Sequence, residues 1–141
     1  MHHLAILHPL FALAALTALV QALIPLARVR AALRGEVTLD DFSIGESTRV
    51  PAAVSVANRN YMNLLEFPML FYVGCLLAYV AAEVTPTLVS LAWAYVALRC
   101  LHSAIHLTSN RVAHRALAFG ASNLVLLALW VQVFMHLPAG A

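Results

Sequence analysis

Residues 4–27, "LAILHPLFALAALTALVQALIPLA", run for 24 residues without an aspartate, glutamate, lysine or arginine. A bilayer's hydrocarbon core is about 30 Å thick and takes about 20 apolar residues of helix to cross. A stretch of this length therefore constrains the chain more than any other feature: it predicts a spanning helix. The run is too long for the core of a cleaved leader and no basic residue precedes it, so a retained helix is expected.

Three further apolar runs follow. Ala116–Leu137 is again uncharged and long enough to cross. Phe67–Ala82 and Pro86–Leu98 are short, and each needs a neighbouring polar stretch to complete a crossing: the residues from about Pro51 in one case, Arg99 to His106 in the other. The predicted spans are residues 4–27, 52–82, 86–107 and 114–137, in one domain over 1–141 with a loop at 28–50. Thr85 and Pro86 suit a helix start, and Pro68 predicts a bend in the second helix. The expected fold class is all-α: an integral membrane four-helix bundle with up-down connections. Composition agrees, with 63% hydrophobic and 10% charged residues, against about 25% charged in a soluble domain.

The basic residues are eight arginines and no lysine, for a formal charge of +2. That charge, with no basic stripe or aromatic platform, argues against nucleic acid as a partner. Arg28, Arg30, Arg34, Arg49, Arg59, Arg99, Arg111 and Arg115 all fall in the two long connections or in the helix halves beside them. The positive-inside rule then predicts cytoplasmic loops and both termini outside. Cys75 and Cys100 fit no disulfide or metal spacing and read as apolar filling. His2 and His3 at the terminus make only a weak ligand pair.

Ionisable residues inside spans are costly and mark function or mutual pairing. Arg59, Asn63 and Glu66 stand at i, i+4 and i+7, one face of a continuous helix. Arg99, His102 and His106 form a comparable ladder on the third span, and Arg111 and Arg115 open the fourth. These residues could simply satisfy one another across helices or snorkel to headgroups. Yet the single intramembrane carboxylate, Glu66, leaves surplus positive charge that invites an anion. A two-histidine, one-carboxylate metal set of His102, His106 and Glu66 is disfavoured by the crowd of arginines. Ser103 and Ser109 have nearby histidines but no third orienting group, and there is no Gly-rich phosphate loop.

"RNYMNLLEFP", "RCLHSAIH" and "RVAHR" together resemble the MAPEG family, membrane-associated proteins in eicosanoid and glutathione metabolism. The layout is most similar to its prostaglandin E synthase and microsomal glutathione transferase branch, and the resemblance extends over essentially the whole chain. It implies a four-helix subunit assembled as a homotrimer, with glutathione in a cleft between neighbouring subunits. By position, Glu66 would hold the glutathione amino group, and Asn63 would support the cleft. Arg28 or Arg30 would meet a carboxylate. Arg99, His102 and His106 would line the peptide, with Arg59 completing the cofactor-binding set. Arg115, nearest the sulfur, would be the catalytic residue. Three positions depart from the prostaglandin E synthase pattern: His106 and Phe119 stand where it has tyrosines, and Ala116 where it has a serine. The expected activity is therefore general: a glutathione-dependent transferase or peroxidase for lipophilic electrophiles. The alternatives are a non-catalytic lipid-binding or scaffold protein of the same fold, and a small transporter or channel subunit.

Overall fold

The computed structural model describes residues 2–136. The side chain of His2, and Leu137 at the end of the fourth predicted span, lie outside the described residues. The chain is all-helical, with elements α1 (Leu7–Leu33), α2 (Ala52–Leu65), α3 (Pro68–Val80), α4 (Pro86–Leu107) and α5 (Val112–His136). Short 3-10 turns stand at His2–Ile6 and Leu39–Phe42. Taken with the turn before α1 and with α2 and α3 as one interrupted span, 4 helical segments among the described residues are long and apolar enough to cross a membrane. This is an integral membrane bundle.

The core follows a heptad-like stripe. Ile6, Leu13 and Val20 recur at seven-residue spacing along the first span, and all are essentially fully buried. They meet Phe71 and Cys75 of α3, Leu88, Ala92 and Tyr95 of α4, and Leu126, Leu129 and Val133 of α5. Such spacing keeps a narrow seam facing its neighbours and leaves the remaining faces for lipid or for other chains. The first span is the least covered: 11% of its most apolar stretch is buried within the chain, against 39% for α4. The most extensive packing is α4 on α5 and α1 on α2. Gly74 allows α3 and α5 to approach, because a Cβ there would stand 2.9 Å from Leu129 Cδ2.

Helix ends are set by local chemistry. Thr85 accepts the Leu88 N–H at 3.1 Å and Pro86 follows it, so α4 starts with a side-chain cap and a residue already fixed near helical φ. The second span is interrupted where a bend was expected. Pro68 has no N–H to give to Leu64, and α2 stops with the Glu66 N–H bonded to Met62 O at 3.2 Å. Glu66 and Phe67 form the joint, and α3 begins with Pro68 in its first turn.

Candidate functional site

A cleft of about 380 Å³ opens between α2, α4 and the first turns of α5. Arg59, Asn63, His102, His106, Val112, Arg115, Ala116 and Phe119 line it. The sequence ladders explain who arrives: Arg59 and Asn63 are one turn apart on α2, and His102 and His106 one turn apart on α4. His102 and His106 are buried and their rings stack with centroids 5.9 Å apart. The lining includes two guanidinium groups and no carboxylate.

His102 is oriented by its neighbour helix. Its Nδ1 lies 3.1 Å from the Arg115 carbonyl oxygen, which can only accept, so this nitrogen carries the proton. The bond ties α4 to the first turn of α5 and leaves Nε2 as the nitrogen without a partner among the described residues. His106 Nδ1 is buried and unpartnered. Arg115 is half-buried and donates from Nη1 to Asn110 Oδ1 at 2.7 Å. Phe119 closes the apolar wall, edge-on to Phe67 at 5.4 Å.

Arg99 lies beneath the cleft rather than on its surface. It is 0% exposed, and its Nη2 donates to both Asn63 O and Asn63 Oδ1 at 2.7 Å. The Asn63 carbonyl is free for this because the helix ends just beyond it. A cation on the last carbonyls of a helix satisfies orphan acceptors and meets the negative end of the dipole. Among the described residues no carboxylate lies within salt-bridge distance of Arg99, and its Nε and Nη1 are buried without partners. One turn farther along α4 in the same seam, Ser103 Oγ donates to Asn60 Oδ1 at 3.2 Å, an interhelical pair that sequence reasoning missed because Asn60 lies off the Arg59–Asn63 ladder.

The chain alone does not bring every expected residue to the cleft. Glu66 is not part of the cleft lining: it ends α2 with its N–H still in the helical bond to Met62 O, and its side chain is exposed at the joint before Pro68. Arg28 pairs with Glu46 at 3.2 Å, with its guanidinium over the Phe42 ring at 4.4 Å. Arg30 is exposed and lines a separate groove between α1 and α2. Among the described residues no three histidine, cysteine or acidic side chains gather as a metal site.

A sequence model described as the MAPEG family matches residues 6–135. Comparison with curated proteins and with solved structures gives no match.

Proposed function

The chain belongs to the MAPEG family, and on that premise we propose that it is a glutathione-dependent membrane transferase or peroxidase acting on lipophilic electrophiles. The observation that carries this reading is the charge of the cleft: Arg59 and Arg115 on its wall, Arg99 beneath it, and no acidic side chain in the lining. Glutathione brings two carboxylates, one ammonium and a thiol. Guanidinium groups complement the carboxylates with charge-assisted hydrogen bonds. Asn63 and His102 Nε2 offer neutral polar contacts between them.

A free thiol has a pKa near 8.5 and reacts as the thiolate. Arg115 is the group proposed to favour that form, since a nearby cation lowers such a pKa by roughly one to three units. The thiol gives its proton to solvent water in the open cleft, and the thiolate sulfur bonds the electrophilic carbon. The leaving group departs with the bonding pair. Ala116 and Phe119 carry no hydroxyl to assist, so the reading places the activation on Arg115 and favours general conjugation over an eicosanoid-specific reaction. The electrophile would enter from the lipid along Phe119 and Val112. Glu66, Arg28 and Arg30 are assigned to a homotrimer in which these residues face a neighbouring copy's cleft and Glu66 meets the ammonium. The arginine-bearing end is proposed to be cytoplasmic, with both termini outside.

The test is turnover of glutathione with a chlorodinitrobenzene by the protein in liposomes. Saturable conjugation that falls about tenfold or more in Arg115→Ala, one unit of thiol pKa, is expected. Conjugation no faster than in empty liposomes, with glutathione still bound, would instead favour the non-catalytic binder. The missing hydroxyls beside Arg115 are the one observation in that reading's favour.

A further inference from the structure

The connection between α1 and α2 folds back along the helices it joins. Val37 packs with Ala31 and Val54 in a second small core, with Ala27, Phe42 and Val50 at its edge. Asp41 braces the segment from inside: it is 3% exposed and accepts from Thr38 N at 2.8 Å, Ser47 Oγ at 2.7 Å and Arg49 Nε at 3.1 Å. Phe42 lies beneath the guanidinium of Arg28. The Leu39–Phe42 turn is therefore held level with residues 27–31 of α1.

That level has a meaning in the membrane. The uncharged stretch of the first span ends at Ala27, and Arg28 is its first charge. At about 1.5 Å per residue this stretch is about 36 Å long, enough to cross a core of about 30 Å with a few ångströms over, so its charged end lies at the headgroup boundary. On either side of Phe42 the braced turn presents Leu39 at 92% exposure and Ile44 at 99%, and Leu33 at the end of α1 is 83% exposed. Single exposed aliphatics are common on soluble surfaces. Here they are held outward by a hydrogen-bonded scaffold, at the depth where apolar side chains enter the acyl boundary.

We infer that the 39–44 segment is an interfacial anchor, with Leu39 and Ile44 inserted at the headgroup–acyl boundary of the leaflet on the arginine-bearing side. The partner is the bilayer surface itself. The anchor fixes the depth of the end of α1 and of the nearby entrance to α2. It does not depend on glutathione, so it can fail or hold independently of the proposed activity.

Nitroxide labels test it. Leu39→Cys, Ile44→Cys and, as a control on the same turn, Asp40→Cys are labelled in a Cys100→Ser background, since Cys75 is buried. Each protein is placed in lipid nanodiscs, and the label's accessibility to oxygen and to a water-soluble nickel chelate is compared. Positions 39 and 44 are expected to favour oxygen several-fold more than position 40. Equal ratios at all three positions would overturn the anchor, as would exclusion of both reagents at 39 and 44, which would bury them against another copy. The exposed positions make no packing contact, and Asp41 is untouched. Either label alone therefore suffices if the other variant does not fold.

Discussion

Arg99 shows how one buried charge can serve a structural end at the edge of a functional cleft. A carbonyl left without a donor in a dry bundle costs about 1–3 kcal/mol. Arg99 meets two such acceptors on Asn63, and in doing so fixes the side chain that lines the cleft above it. Arg99→Leu should thus destabilise the protein by roughly 1–3 kcal/mol, read as a shift in the denaturation curve in detergent. Unchanged stability with lost glutathione binding would make Arg99 a ligand contact only. The i, i+3, i+7 spacing of Arg99, His102 and His106 made their shared burial legible in the sequence. It could not say that Arg99 would turn to a helix end and the histidines to an open cleft, because that depends on where α2 stops. Glu66 keeps its helical place at the end of α2, with its N–H bonded to Met62 O, and its side chain is exposed where Pro68 interrupts the span just beyond it.

At the scale of elements, helix ends and the braced turn carry the predictions. α1 and α3 finish with the same pattern of bonds: Glu36 N to Ala31 O at 3.0 Å and Gly35 N to Ala32 O at 2.9 Å, then Glu83 N to Ala78 O and Ala82 N to Tyr79 O at 3.1 Å. The pattern needs a left-handed residue. Gly35 supplies it at φ 70°, whereas Ala82 holds φ 58° with a Cβ. Relief of the left-handed cost of about 1–2 kcal/mol outweighs the added chain entropy of glycine, so Ala82→Gly should stabilise the protein by about 0.5–1 kcal/mol, measured by the same denaturation. The predicted boundary at residue 27 stopped short of the glycine end, since α1 runs to Leu33; the alanine end gave no signal, because alanine ordinarily continues a helix.

The braced turn should respond to acid. Hydrogen bonds from Ser47 first, then Thr38, with the charge of Arg49 further behind, hold the Asp41 carboxyl well below the usual carboxylate range. A lowered folded pKa means the bracing is fully present above the unfolded value of about 3.9 and is lost as pH falls below it. Amide exchange in residues 38–49 should therefore show pH-independent protection from neutrality to about pH 4 and a decline below that. Asp41→Asn should show the weakened protection even at neutral pH. Protection that ignores both acid and the substitution would remove Asp41 from this role.

For the whole molecule, the number of spans and the helical class were legible because length and apolarity alone decide them in a bilayer. Which faces pair was not legible: Ile6, Leu13 and Val20 are buried at seven-residue spacing, but the positions between them are just as apolar. Nor was how copies of the chain meet, because an apolar helix face reads the same whether lipid or protein covers it. The thinly covered first span, exposed Glu66 and exposed Arg30 all leave room for the proposed homotrimer. The central claim concerns what the positive cleft does to a thiol, and ultraviolet absorbance of the thiolate reads it directly. Glutathione titrated into the purified protein should give a saturable thiolate band at neutral pH, strongly reduced in Arg115→Ala. Glutathione that binds with no such band, or an equal band in Arg115→Ala, would contradict it.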